Sequence, residues 1–277
     1  MASTLWDEYQ VSPVEVALPG GKVGLTLRAY RPASELTPTD IADREDDDAI
    51  FAGRTGRPIG VADDEELPEF QWTKEALDEV AAAPAEDEIA ERAVETAEAD
   101  EAADEEDDED AAVVSDEEVP VFLSHKGRLL LFLSAKGLAD FVRSGAPHDM
   151  KQLEGWSKLA KSVKATDVVA GEDDAYELDL VVENLRGGPD AWDAELVLRA
   201  GEFARDVSYA LRLKPVMVAL SPGSPLDDLD DALRASEEGG VGAFFAKRKL
   251  KKIGAEQASI GWRSIIGKIS GAVDWRD

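Results

Sequence analysis

Reactive side chains are scarce in this sequence. It contains no cysteine, which excludes disulfides, thiolate nucleophiles and Cys-based zinc sites. Its two histidines stand apart, His125 in a predicted turn and His148 beside Pro147, and both are expected to face solvent. Two histidines cannot build a His-rich metal site, and a general base needs a partner within hydrogen-bond reach that the sequence does not identify. Asp227, Asp228, Asp230 and Asp231 are clustered, but they follow Ser224-Pro225 at the start of a predicted helix, where the helix dipole favours negative charge. The glycine-rich stretch Gly53–Gly60 has no preceding strand and lacks the Lys-Ser/Thr of a phosphate loop, so it reads as a flexible linker. The sequence thus predicts no catalytic residue, no metal site and no cofactor, and a chain that is not an enzyme.

What remains is charge, and it is strongly segregated. The 277 residues carry a formal net charge of −30. Between Ala81 and Glu118 stand eighteen Asp or Glu and a single cation, Arg92. From Gly240 to Asp277 the balance reverses, with eight Lys or Arg against Glu256, Asp274 and Asp277. An acidic tract with so little apolar area cannot offset an ordering cost of about 1–2 kcal/mol per residue, so disorder is expected there. Net charge of this sign repels nucleic acid at long range, yet screening within about 8 Å leaves a local basic patch free to hold phosphate.

The elements that would position any surface are of mixed type. Val14, Val16 and Leu18 alternate with polar or small neighbours, as do Leu25 and Leu27, and Pro19-Gly20-Gly21-Lys22 lies between them as a turn. A lone hairpin is marginal in water, so this one is expected to dock on a later sheet. Val121-Phe122-Leu123 and Leu129–Leu133, separated by His125-Lys126-Gly127, predict a second hairpin. Ser134 is placed to cap a helix carrying Leu138, Phe141 and Val142, with Gly145 as its stop. Leu153, Trp156, Leu159 and Val163 continue at helical spacing. Tyr176, Leu178, Leu180 and Val182 alternate as in a half-buried strand. Trp192, Leu196, Ala200, Phe203, Val207 and Leu211 predict a helix of about six turns, and Val216–Leu220 a buried strand. Such a mixture predicts a single α+β domain.

The C-terminal segment holds the more specific surface. Lys247, Arg248, Lys249, Lys251 and Lys252 crowd a stretch shared with Val241, Phe244 and Phe245. Trp262, Ile265, Ile266, Ile269 and Val273 then line one face of an amphipathic helix, with Arg263 and Lys268 off the stripe. Three readings stand for that stripe: packing on the domain, docking on a protein or nucleic-acid complex, or lying on a membrane surface. Lys247, Arg248, Lys249, Lys251, Lys252, Trp262, Arg263, Ile266 and Lys268 are the candidate partner or nucleic-acid contacts. Phe70 and Trp72, aromatic residues set in acid, form a candidate linear motif, or else cover an edge of the chain's own domain. The acidic tract and the basic cluster could also meet within one molecule and screen the tail from phosphates.

Two resemblances add to this. The run Val119–Leu123, then Gly127-Arg128-Leu129-Leu130-Leu131-Phe132-Leu133-Ser134 and Leu138-Ala139-Asp140-Phe141, resembles the strand–strand–helix opening of an SseB-type domain over about 25 residues, and no functional residue transfers from it. Both ends of the chain, Leu5-Trp6-Asp7-Glu8-Tyr9 with Thr26-Leu27-Arg28-Ala29-Tyr30-Arg31, and Ile260-Gly261-Trp262-Arg263 with Ala272–Asp277, resemble uncharacterised high-G+C bacterial proteins sometimes labelled primosomal protein or DNA primase. No zinc-ribbon cysteines and no acidic metal-binding motif accompany that likeness, so what it implies is association with replication or transcription machinery, not primer synthesis.

The expected organisation is a docking hairpin over 1–32, a disordered acidic linker over 33–118, an α+β domain over 119–238 and a basic amphipathic helical tail over 239–277. The N-terminal residues MASTLWDEYQ lack the basic start and apolar core of a signal peptide, and no apolar run reaches the roughly 20 residues of a membrane span, so a cytoplasmic protein is expected. The expected function is that of a non-enzymatic interaction or adaptor protein with a protein partner, associated with a nucleic-acid machine. The alternative is direct nucleic-acid binding through Lys247–Lys252.

Overall fold

The computed structural model describes residues 5–42, 44, 117–238 and 240–277. The acidic run, the Gly53–Gly60 stretch, Phe70 and Trp72 lie outside the described residues.

The alternating apolar residues near the N-terminus form β1 (Ser12–Leu18) and β2 (Lys22–Pro32), an antiparallel pair in register from Ser12↔Arg28 to Leu18↔Lys22. Gly20 and Gly21, at φ 96° and 73°, supply the left-handed backbone of the turn. The hairpin does dock on the later chain, and it does so as the middle of the sheet. The other edge of β2 is shared by two strands: β3 (Glu118–Phe122) along its C-terminal half and β5 (Arg128–Phe132) opposite Leu25. β4 (Ser124–His125) turns into β5 through Lys126 and Gly127, at φ 53° and 70°, the double positive-φ pattern of a tight hairpin. The outer strands are β6 (Ala175–Glu177), parallel to β1, and β7 (Val273–Arg276), parallel to β5. The result is a mixed α+β domain.

Helices cover both faces of the sheet. Successive side chains of a strand point to opposite faces, and the buried residues of β3–β5 divide accordingly. Phe122, Leu129 and Leu131 join Val14, Val16 and Leu18 on one face. That face packs against α4 (Leu178–Arg186), α5 (Ala194–Ala210), α6 (Lys214–Ala219), α7 (Pro225–Glu238) and α9 (Ala255–Gly271). Val121, Leu123, Leu130 and Phe132 join Leu27 and Ala29 on the other, under α1 (Leu5–Tyr9), α2 (Ala135–Ser144) and α3 (Trp156–Ser162). α2 begins and ends where expected: the Ser134 hydroxyl accepts from Gly137 N at 3.0 Å, and Gly145 stops the helix at φ 71°. α7 likewise starts at Ser224-Pro225, with the Ser224 hydroxyl accepting from Asp227 N.

Two expected strands are helices. After the short β6, Leu178, Val181 and Leu185 are buried at i, i+3 and i+7 while Leu180 is exposed. In a short window, alternate apolar residues also satisfy part of a helical period, and packing decides. At Val216–Leu220 the same rule applies: Leu213, Val216 and Leu220 are buried, Met217 and Val218 are exposed, and Pro215 sits in the first turn of α6. The long helix is α5, shorter than six turns, and Trp192 precedes it, its indole donating to Leu185 O at 2.7 Å.

Two boundaries also move. The chain past residue 33 stays packed: Thr39, Ile41 and Arg44 are buried, and Thr39 and Ser124 both donate to the Asp149 carboxylate at 2.7 Å. The segment 239–277 is no tail, because α9 packs in the core and β7 completes the sheet. The stripe ends before Val273, which begins β7 opposite Leu129.

One position on β2 breaks the apolar pattern. Arg28 is buried, bonds Asp174 at 2.8 Å and Asp206 at 2.9 Å, and has Tyr30 and Tyr176 beside its guanidinium. Burial works against its charge, but Tyr176, Tyr30, Asp206 and Asp174 outweigh that and raise its pKa. The Tyr30 hydroxyl is raised too, by burial first and then by its hydrogen bond to Asp206. The cluster ties β2 to the chain before β6 and to α5. Arg28→Ala leaves two carboxylates partly buried with no cation between them; urea unfolding should show a loss of about 3–5 kcal/mol.

His148, expected at the surface, is buried between the Phe141 and Trp156 rings, with neither ring nitrogen hydrogen-bonded. Burial, assisted by Lys151 and His125, lowers its pKa to about 4. An unfolded imidazole takes its proton near pH 6.5, so this contribution to stability is full above about 6.5 and is lost as pH falls toward 4. Unfolding followed from pH 7 to 4 should show that loss, and His148→Phe should flatten it.

Candidate interaction surface

The basic cluster lies on α8 (Gly240–Ile253), which packs along α7. Ala246 and Leu250 are its buried contacts, one turn apart on the inner side. The opposite side is open to solvent. Phe244 and Phe245 are 70% and 62% exposed, and their rings meet edge to face at 5.8 Å. Lys247, Arg248, Lys249, Lys251 and Lys252 are exposed as well. Helical spacing places Arg248 one turn from Phe244, and Lys249 one turn from Phe245, so aromatic and cationic groups share one face. Lys249 pairs with Asp228 at 2.8 Å and Lys251 with Asp190 at 3.2 Å, both at the surface. Adjacent α7 carries Asp227, Asp228, Asp230, Asp231, Glu237 and Glu238 against Arg234. Asp230 is buried and faces Arg205 and Arg234, which is a structural role.

The rest of the expected contact set does not gather here. Trp262 and Ile266 are 2% and 3% exposed in the core, so they are packing residues and not partner contacts. The stripe had to be buried because it is the apolar face of a helix lying on the sheet side of the domain. Arg263 and Lys268 are exposed on the outer side of the same helix. Phe70 and Trp72 are outside the described residues.

Sequence reasoning missed a second surface, a groove of about 330 Å³. Leu36, Pro38, Val119, Tyr209, Ala210 and Met217 give it mostly apolar walls. Tyr209 and Met217 are exposed at 46% and 40%, and Val218 beside them is more exposed still. The expectation of a buried strand at Val216–Leu220 hid Met217 and Val218; Pro215 after Lys214 was the signal for a helix start. Among the described residues there is no cluster of His, Cys, Asp or Glu arranged to hold a metal ion, and no helix long and apolar enough to cross a membrane.

The model of the SatS C-terminal domain family matches residues 111–270, more than half of the chain. The chain belongs to that family. The SatS-type match runs from before β3 to the end of α9, so the hairpin β1–β2 and strand β7, which complete the sheet, lie outside it. A solved structure described as the SatS C-terminal domain in complex with bromine aligns with a TM-score of 0.52, over 98% of this chain and 96% of that one, at 17% identity. A likeness at that identity concerns the fold alone. No curated protein matches the chain. Neither finding bears on the SseB-type or primosomal resemblance.

Because Phe244 and Phe245 support nothing in the core, Phe244→Ser/Phe245→Ser should change stability by no more than about 0.5 kcal/mol per site. Trp262→Ala, by contrast, should cost about 3–5 kcal/mol in the same denaturant titration.

Proposed function

We propose that this protein is a non-enzymatic interaction module that binds a partner polypeptide. The observation that carries the reading is the pair Phe244 and Phe245, exposed on α8 among five cations. Large aromatic residues held on a rigid helix lose little entropy on binding, and Arg and Phe are the types that anchor interfaces. The apolar groove beside Tyr209 and Met217 offers a separate seat for an apolar segment. A partner that presents acidic residues around an apolar anchor suits the α8 face.

Direct binding of nucleic acid by Lys247–Lys252 is the second reading, motivated by the density of cations in that run. Against it stand the acids of α7 beside the run, which repel phosphates, and the pairing of Lys249 and Lys251 with Asp228 and Asp190. Association with a nucleic-acid machine through a protein contact remains compatible with the first reading, and the primosomal resemblance supports it.

One pair of variants separates the two. Partner capture by the full chain should be abolished by Phe244→Ser/Phe245→Ser and only weakened by Lys247→Gln/Lys252→Gln. Duplex binding that falls steeply with salt, with a slope flattened by the lysine variant, would instead establish the second reading.

A further inference from the structure

A second concentration of positive charge lies away from α8 and was not visible as a unit in the sequence. A cleft of about 500 Å³ is lined by Arg44, by Arg212 and Lys214 before and at the start of α6, and by Lys268 near the end of α9. Among the described residues no acidic side chain lines it. Arg212, Lys214 and Lys268 are exposed and form no ion pair among the described residues. Residues 45–116 hold 28 of the chain's 60 acids and 4 of its 30 bases, so the remainder still carries 32 acids against 26 bases. A concavity whose charged walls among the described residues are all cationic, the rest being Leu213, Pro215, Gly271 and Ala272, is therefore a local departure from the charge around it.

The backbone strengthens this polarity. Carbonyls on the walls would repel an anion, but they are already taken. Arg44, itself buried, donates to Leu211 O at 2.6 Å and to Arg212 O at 3.2 Å, and it is anchored further by Gly127 O at 2.7 Å. At the end of α9, Arg128 donates to Gly271 O at 3.2 Å and Leu129 N to Ala272 O at 2.8 Å. With these three wall carbonyls satisfied, Arg212, Lys214 and Lys268 are the exposed charged side chains among the described walls.

We propose that this cleft binds a soluble phosphorylated molecule, with its phosphoryl oxygens held by Arg212, Lys214 and Lys268. A single carboxylate would leave most of that charge unmatched, whereas a phosphoryl group brings up to two negative charges and three acceptor oxygens that suit an Arg fork and lysine ammoniums. The cleft has the volume for a small ligand and no aromatic side chain among its described walls, so recognition centres on the phosphate.

The test is titration calorimetry of the full chain with inorganic pyrophosphate at fixed ionic strength, about that of physiological salt. One saturable site is expected. Arg212→Gln/Lys268→Gln should weaken it about tenfold or more, Lys268→Glu alone should do the same, and Arg248→Gln/Lys252→Gln on α8 should leave it within about twofold. Absence of saturable binding, or equal weakening by the cleft and α8 pairs, would overturn the proposal. So would binding that emerges only after Glu45, Asp46, Asp47 and Asp48 are replaced by serine, since the cleft would then serve the chain's own carboxylates.

Discussion

The main-chain hydrogen bonds of β2 are the interaction on which this fold rests. This one strand pairs with β1 over Lys22–Arg28, with β3 over Arg28–Pro32 and with β5 at Leu25. β3 and β5 are short, and neither could bury its residues on both sheet faces without a common neighbour. The chain leaves β2 at Pro32 and returns at Glu118 directly opposite, with Ala33 N bonded to Glu117 O at 3.0 Å. Loop-closure entropy grows only with the logarithm of length, which is why so long an insertion is compatible with the pairing. Gly24 shows how closely the sheet is fitted: a Cβ there would lie 2.8 Å from the Trp275 ring and 2.9 Å from Leu131.

Charge follows from that architecture. Arg28 points from the central strand toward the helical layer built on α5, where an apolar side chain would have been ordinary, and it is held there by two carboxylates from different elements. The C-terminal cations are divided by packing into two surfaces. Lys247–Lys252 stay on the open side of α8, beside an aromatic pair. Lys268, some five turns along in sequence, joins Arg212 and Lys214 instead, because α9 lies against the sheet and ends next to the start of α6.

Much of the fold was legible in local pattern. The hairpin of Val14–Leu18 with Leu25–Leu27, the Ser134 cap and Gly145 stop of α2, the Ser224-Pro225 start of α7 and the apolar stripe of α9 all follow from spacing and terminal chemistry. Leu178–Val182 and Val216–Leu220 were not legible, because four or five apolar residues fit a strand or a helix equally well until burial selects a face. Of the candidate contacts, the cluster on α8 was visible as a run of like residues. The groove at Tyr209 and Met217 was not, since its walls come from four separate stretches of chain.

By itself, then, the sequence determined composition-level and short-range properties: no thiol chemistry, a mixed α+β element content, an acidic block and a basic one, and several helix ends. These depend on residue type and on neighbours within one or two turns. Only the tertiary structure decided that the N-terminal hairpin is the sheet's centre, that His148 is buried, that Trp262 and Ile266 are core, and that Arg212, Lys214 and Lys268 share a cleft. Each of those outcomes depends on contacts between residues far apart in the chain, which no local periodicity encodes.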